Sequence, residues 1–475
     1  MNLKKNCPAL LMGLLLCAPS LTGTLPAQTP PPLRLSPEEA VKRAVEKNLS
    51  LESSRIGNAL KKRASDLSWN QFIPNITVAG SLLRDNEQSK ISGLYPVDIS
   101  TVLPLPPGTL YAVTPYSVDA PRWHIAGSIQ TSLNINVAMF ENMRRLRLDY
   151  EGGLLSLEKA KAQLERDVRK AYHNMLLLQE NIALLSGSFE NAERSVQRAQ
   201  ANYNAGLAPE LTLLQAQVGR ENLRPIIDQA ENGLKLSMAQ FAMFLGLNYD
   251  TPFELMPIEG NTDFIPFDVA EMIKKASSGK PDIQELRHSI LMLESARKAQ
   301  IFSLTPTLSL GWSYMPTFIK DPWKDPWFES KDNWMDRGSL TISVGVRLHS
   351  LIPFSADFQG IKALDDQIRV ANIGYAQLIR GTEIEIYNTV LSLERTRISA
   401  EAQAQTVSLA ERSYRLTELA YQAGLQDLFQ VQSAEQSLRQ ARVQMLEQQF
   451  NYLNGLIDLE YSIGVPFGTL TKGSN

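Results

Sequence analysis

Four segments of the chain place an apolar residue at every second position, and the long stretches between them place one at every third, fourth and seventh. The first spacing predicts strands. Ile76, Val78 and Leu82 alternate with Asn75, Thr77 and Ser81; Ile129, Leu133, Ile135 and Val137 alternate with Ser128, Gln130, Ser132, Asn134 and Asn136. Further on, Leu308, Leu310, Trp312 and Tyr314 alternate with Thr307, Ser309, Gly311 and Ser313, and Leu340, Ile342, Val344, Val346 and Leu348 with Ser339, Thr341, Ser343, Gly345 and Arg347. Each half of the chain thus contributes one strand pair, entered through a proline (Pro74, Pro306) and joined by a long loop. The loop from Asp85 to Arg122 is rich in proline, and that from Thr317 to Arg337 carries Trp323, Trp327 and Trp334, as outer loops and an interfacial aromatic girdle would.

These strands are apolar on one face and mostly uncharged on the other. Four cannot close a small barrel, which takes about eight, and left open they would expose sheet edges. Two copies of the chain would supply eight strands around a plugged interior; three would supply twelve and room for a pore. The apolar face suits hydrocarbon. The alternative is a soluble antiparallel sheet with one face covered by the helices.

The second spacing predicts helices of unusual length. Ser36-Pro37-Glu38-Glu39 is a helix start, with a capping serine, a proline at the first helical position and carboxylates in the first turn. That helix runs to about Phe72 with a break near Asn48. From Asn142 to Ala205, Val168, Met175, Ile182, Phe189, Val196 and Tyr203 are spaced by seven, as are Ala171, Leu178, Leu185, Ala192 and Ala199. This is a coiled-coil seam on a helix of roughly 95 Å. A second long helix, Gly360 to Gln422, keeps one row (Ile386, Leu393, Ala400, Val407, Tyr414, Tyr421), but Thr389, Thr396, Gln403 and Thr417 interrupt the other, which predicts a wetter partner surface. Shorter helices, Leu51 to Ile73 with Pro209 to Leu247, and Asp282 to Leu304 with Gln426 to Gly464, add up to the length of each long one. Stacked end to end, each pair would lie beside a long helix, with the irregular segment from Asn248 to Pro281 at mid-height.

The halves also share sequence. Ala192, Glu193, Arg194, Ser195, Tyr203, Ala205, Gly206, Leu207 and Ala216 recur without a gap as Ala410, Glu411, Arg412, Ser413, Tyr421, Ala423, Gly424, Leu425 and Ala434, and Gly246 falls on Gly464. A fixed register over that distance predicts two tandem structural repeats, 28–247 and 282–475, each helix-strand-strand-helix-helix, around an equatorial linker at 248–281.

Residues 1–27 read as a secretory signal, with Lys4 and Lys5, an apolar run from Ala9 to Cys17 and a small-residue site near Leu25-Pro26-Ala27. Both cysteines, Cys7 and Cys17, lie in it, so the mature chain is expected to hold no disulfide. Cys17 follows Leu16, where a lipid-anchor signal normally has a small residue. The formal charge is −3 and becomes more negative when Lys4 and Lys5 are removed, which gives no reason to expect nucleic acid.

The leader, the two strand-pair halves, the near-100 Å helices and the paired turns together resemble the TolC-type outer membrane efflux protein family across essentially the whole mature chain. The residues that carry it are Tyr203-Asn204-Ala205-Gly206-Leu207 with Leu214 and Ala216, and Tyr421-Gln422-Ala423-Gly424-Leu425 with Val431 and Ala434. The resemblance implies an α+β membrane channel: a homotrimer whose twelve strands form one β-barrel in outer membrane lipid, continued by a long α-helical coiled-coil tunnel through the periplasm. It implies export of small molecules or proteins in a tripartite efflux or type I secretion system. The partners would be a periplasmic adaptor (membrane fusion) protein and, through it, an inner-membrane pump, proton-driven or ATP-driven. Ala205, Gly206 and Leu207, with Ala423, Gly424 and Leu425, would meet the adaptor, while Tyr203 and Tyr421 read as seam residues. Glycine at these turns is equally expected as a plain helix terminator.

In the best-known family members a ring of aspartates narrows the periplasmic mouth six and nine residues after the second turn glycine. Gln430 and Ser433 stand there in this chain, and Thr212 and Gln215 at the matching first-half positions. A polar, uncharged constriction is expected instead. Asp427 and Glu435 lie nearby on shifted helical faces and read as solvated charge.

Catalytic signatures do not emerge. His124, His173, His288 and His349 are isolated, no metal-ligand spacing occurs, and no cofactor is implied. Ser278-Gly279-Lys280-Pro281 lacks the upstream glycine of a P-loop and has proline where that motif needs Ser or Thr. The chain is therefore not expected to be an enzyme. An exported periplasmic coiled-coil scaffold or adaptor protein without a pore is the competing reading.

Overall fold

The computed structural model describes residues 33–98, 106, 108, 111–257, 267–329 and 331–470. The leader at 1–27, with Cys7 and Cys17, lies outside the described residues.

The chain opens with a short strand, β1 (Leu33–Leu35), and two helices in line, α1 (Pro37–Lys47) and α2 (Leu49–Asp66). Ser36 caps α1 in a reciprocal capping box with Glu39, as its sequence predicts. Asn48 makes the break: its Oδ1 accepts from the backbone N–H groups of Ser50 and Leu51 at 3.0 and 3.1 Å, so one helix ends and the next is capped within a single residue. A 3₁₀ turn at Ser68–Phe72 leads into Pro74 and the first strand.

Four strands make one antiparallel sheet: β2 (Asn75–Arg84), β5 (Trp123–Ile135), β7 (Thr307–Tyr314) and β10 (Leu340–Gly345), in the spatial order β2, β5, β7, β10. Register sorts their side chains. Val78 faces Ile129, Ile129 faces Tyr314, Leu133 faces Leu310 and Leu310 faces Ile342, so the apolar residues of all four strands share one face. Ser128, Gln130, Ser132, Ser309, Ser313, Thr341 and Ser343 share the other. Val78 is 74% exposed and Val344 69%, so the apolar face is bare of helices and the covered-sheet alternative does not hold. Among the described residues nothing pairs with the outer edge of β2 or of β10.

Two joining segments differ from the expected loops. Between β2 and β5 the chain forms an antiparallel ribbon, β3 (Lys90–Asp98) with β4 (Tyr111–Asp119). Pro96 and Pro115 sit within it because both of its strands are edges, where a missing N–H leaves no ladder bond unmade. Between β7 and β10, β8 (Pro316–Phe318) and β9 (Trp334–Asp336) form a short hairpin, with β8 continuing along β5. The last strand is also shorter than its alternation predicts, since Leu348–Leu351 forms a 3₁₀ turn that leads to the Ser355 cap of the next helix.

The long helices are α3 (Ala138–Asn204) and α8 (Ala356–Gln422), each of 67 residues and so about 100 Å. Where one return helix is expected after α3, there are two, α4 (Glu210–Glu221) and α5 (Arg224–Phe244). Pro225 has no N–H for the Glu221 carbonyl, and the helix restarts around it. After α8 the return helix α9 (Leu428–Ile463) is unbroken. The segment at 248–281 is less irregular than expected, for it holds β6 (Phe253–Leu255), which pairs in parallel with β1, and α6 (Val269–Gly279), which runs up to α7 (Pro281–Phe302).

The short helices do meet end to end. Asn48 Nδ2 donates to the Phe244 carbonyl at 3.2 Å, joining the start of α2 to the end of α5. At the corresponding place in the second half, Gly464 lies against Gly279 and Lys280, joining α9 to α7. Around these junctions sit the two main cores. One gathers Val41, Val168, Tyr172, Met175, Phe241, Leu245 and Phe253; the other gathers Met272, Ile386, Leu393, Tyr452, Leu459 and Ile463.

The interrupted row of α8 is drier than its composition suggests. Thr389, Thr396 and Thr417 turn their hydroxyls to carbonyls one turn back in their own helix, at 2.8 to 2.9 Å, and Thr396 is buried. Gln403 reaches across to the Ala441 carbonyl at 3.1 Å. The polar groups are satisfied by backbone, which leaves their methyl and methylene groups to pack.

Candidate functional site at the helix tips

The two long helices end in the same hydrogen-bond pattern. Leu207 N–H donates to the Asn202 carbonyl and Leu425 N–H to the Ala420 carbonyl, both at 2.8 Å, while Gly206 and Gly424 donate to Tyr203 and Tyr421. Gly206 has φ +75° and Gly424 φ +74°, the left-handed conformation that closes such a cap and that glycine adopts without strain. Nothing lies within 4 Å of where a side chain would start at either position. Leu207 and Leu425 are each 79% exposed, so both turns present an apolar side chain outward.

A small core ties the turns together. Leu213 and Ala216 of α4, Leu428 of α9 and Val196 and Ala199 of α3 are buried against one another, with Tyr421 packed on them. Tyr421 is thus a packing residue as expected, whereas Tyr203 is 41% exposed. Gln432 Nε2 donates to the Gln215 carbonyl at 3.4 Å across the α4–α9 contact. Of the four candidate constriction residues, Gln215, Gln430 and Ser433 are exposed and Thr212 is half-buried.

Of the nearby carboxylates, Asp427 is exposed as expected, and Glu435 is not. Asp427 caps α9, its Oδ1 accepting from Gln430 N–H at 2.9 Å; Pro209, in the matching place before α4, supplies no side-chain cap. Glu435 is half-buried in a groove between α3, α8 and α9, where its Oε1 accepts from Asn191 Nδ2 at 3.2 Å. Burial raises its pKa above the ordinary carboxylate value. Around it Arg198 of α3 pairs with Glu418 of α8 at 3.1 Å, and Arg442 of α9 pairs with Glu411 of α8 at 2.7 Å. In the first half Arg220 of α4 pairs with Glu193 of α3 at 3.0 Å. Glu193 and Glu411 are a repeated pair in the sequence, and both tie a long helix to its return helix. That repetition was the available signal for these cross-helix ties.

At mid-height the polar groups are structural. Tyr172 is fully buried and its single hydroxyl hydrogen is shared between the Leu35 and Met256 carbonyls, at 2.8 and 2.6 Å, bolting α3 to the β1–β6 pair; burial pushes its hydroxyl up to about 12. His173 bonds to Asn454 at 3.1 Å, and burial lowers it to about 4, which keeps it neutral. The Gly279-Lys280-Pro281 turn is likewise accounted for, since Lys280, 5% exposed, pairs with Glu385 at 2.5 Å, and Ser462 donates to the same carboxylate at 2.6 Å. Among the described residues no three His, Cys, Asp or Glu side chains stand where they could hold a metal. No described helix is long and apolar enough to cross a membrane.

Residues 41–246 match the outer membrane efflux protein family. The whole architecture matches solved channels. CusC, characterised for transmembrane channel formation, superposes with a TM-score of 0.70 at 14% identity, over 90% of this chain and 92% of that one. The chain has the fold of these outer membrane channels. VceC of Vibrio cholerae, an outer membrane protein, gives a TM-score of 0.69 at 15% identity over 91% and 96%, and the CmeC outer membrane channel of Campylobacter jejuni gives 0.69 at 13% over 90% and 85%. No curated protein matches the sequence.

Proposed function

We propose that three copies of this chain close into one twelve-stranded barrel and one helical tunnel, forming the exit duct of a tripartite efflux or type I secretion system. The observation that carries this is the four-stranded sheet: apolar on one face, polar and uncharged on the other, with its apolar face free of helices and, among the described residues, its outer edges at β2 and β10 unpaired. Joining β10 of one copy to β2 of the next would satisfy both edges, put the apolar face in lipid and line the interior with Ser, Thr, Gln and Asn. β2 and β5, of 10 and 13 residues, are long enough for a membrane crossing. Exposed apolar side chains along α8, among them Val370, Ile384, Tyr387 and Ile398, and along α4 and α5, among them Leu211, Val218 and Leu236, would be covered by neighbouring copies.

In this reading each chain is two copies of one unit, 28–247 and 282–475, about the linker at 248–281. Six tip turns would ring the periplasmic mouth, with Ala205, Gly206, Leu207, Ala423, Gly424 and Leu425 meeting a periplasmic adaptor that couples the duct to a proton-driven or ATP-driven pump. Thr212, Gln215, Gln430 and Ser433 would form the narrowest periplasmic ring. With no carboxylate among them, closure would depend on packing and on hydrogen bonds, not on charge. The scaffold alternative gains no support from a bare amphipathic sheet.

Detergent-purified protein should run as a trimer and conduct ions across planar bilayers, with only weak block by divalent cations. A monomer without current would sink the duct. Strong divalent block would sink the uncharged constriction alone.

A further inference from the structure

The outer end of the sheet carries a pocket that transport does not use. The turn after β8 folds back over the apolar face of β2 and β5, so that Trp323, Trp327 and Trp334 stand above Gly80 and Gly127, with Leu82 and Pro316 as side walls, around about 520 Å³. Gly80 and Gly127 face each other in register, so two neighbouring strands present no side chain at the same level. The fold does not need that bareness, since a Cβ at Gly80 would meet nothing within 4 Å.

The roof is rigid and offers hydrocarbon. Trp327 Nε1 donates to the Pro322 carbonyl at 2.7 Å and Trp334 Nε1 to the Trp327 carbonyl at 2.6 Å, so both indole N–H groups are used within the loop. The fully buried Phe318 packs edge-on against Trp334, with ring centroids 5.3 Å apart. Pockets for polar ligands carry a few placed polar groups to orient them, and the lining here is almost wholly apolar.

A cation stands at the rim. On the same face of β2 the column Ile76, Val78, Gly80, Leu82 ends in Arg84, about 13 Å beyond Gly80 by strand rise. Its guanidinium lies 5.8 Å over the Trp123 ring, which in turn meets Trp323 edge-on at 5.8 Å. No ion pair of Arg84 occurs among the described residues.

We propose that this pocket holds one acyl chain of an anionic outer membrane lipid, the chain lying on the Gly80–Gly127 floor and the phosphate resting at Arg84. The proposal rests on the duct reading, because the apolar face must meet lipid. A neighbouring copy added at the β2 edge extends the sheet sideways and leaves the floor open. A hydrocarbon slot capped outward by a cation on the lipid side of a barrel is complementary to an anionic lipid and to little else.

The test is native mass spectrometry of the full-length protein, delipidated and then offered phosphatidylglycerol or phosphatidylcholine of identical chains. The wild type should retain one phosphatidylglycerol per protomer, preferred at least about fivefold over phosphatidylcholine. Gly80→Leu, which fills the floor without strain, should abolish retention while leaving trimer mass and conductance unchanged. Arg84→Gln should keep chain binding and lose the headgroup preference. Equal retention by the wild type and Gly80→Leu would overturn the pocket, and equal retention of the two lipids by the wild type would overturn the Arg84 contact. Absence of both trimer and current in the wild type would instead mark failure of the duct.

Discussion

The equator and the tips of the helices use glycine in the same backbone conformation to different ends. Gly464 at the equator has φ +71° and is pressed against Gly279 and Lys280; Gly424 at the tip has φ +74° and open space around it. The first is required both by its torsion and by its neighbours, the second by its torsion alone. At mid-height two dense cores, the Tyr172 bolt and the Lys280–Glu385–Ser462 cluster hold the helix ends in one arrangement. At the tips a five-residue core and exposed ion pairs hold much less. The contrast separates a densely packed joint from a sparsely packed end.

Substitutions can break that contrast in graded steps. Gly464→Ala should have the largest effect, since the new Cβ collides with the Gly279 carbonyl in addition to the torsional strain; a loss of about 3 kcal/mol or more, or no folded protein, is expected in thermal melts. Tyr172→Phe leaves the Leu35 and Met256 carbonyls without their donor and should cost about 1–3 kcal/mol in denaturant titration. Gly424→Ala should cost about 1–2 kcal/mol from the left-handed torsion alone, with the sheet and the equator intact by limited proteolysis. If Gly424→Ala proved as damaging as Gly464→Ala, the tips would be as tightly built as the equator.

The smallest effect concerns acidity. Because burial raises the Glu435 pKa, its contribution to the packed groove is complete below the unfolded carboxyl value and is lost as pH rises through the folded one. Acidification from neutral pH should therefore tighten the α3–α9 contact. Glu435→Gln keeps an acceptor for Asn191, should stabilise the groove at neutral pH by about 1 kcal/mol or less, and should flatten the pH dependence of amide exchange near Asn191.

The features that repeat regularly were legible from the amino acids. Period-two alternation marked all four sheet strands, heptad spacing marked α3 and α8, and the Tyr-x-x-Gly-Leu pairs marked both tips, including their glycine torsions. Features that depend on one residue or on distant partners were not. The apolar spacing runs on through Pro225 and so hides the break that a single missing N–H creates. The three residues of β6 are too few to show alternation, and the prolines of β3 and β4 argue for loops unless both strands are known to be edges. Thr389 and Thr396 look wet in sequence because nothing there says that their hydroxyls are already satisfied by their own helix. Glu435 looks solvated because its burial comes from α3, which is more than two hundred residues away.

The division at Pro225 makes the two arms of each chain mechanically unequal. The α8–α9 arm is a pair of uninterrupted rods, whereas α4 hangs below α5 on a joint of two residues. A load at the tips would therefore meet a stiff second arm and, in the first, a turn that Pro225 leaves one hydrogen bond short, so the two arms should yield unequally.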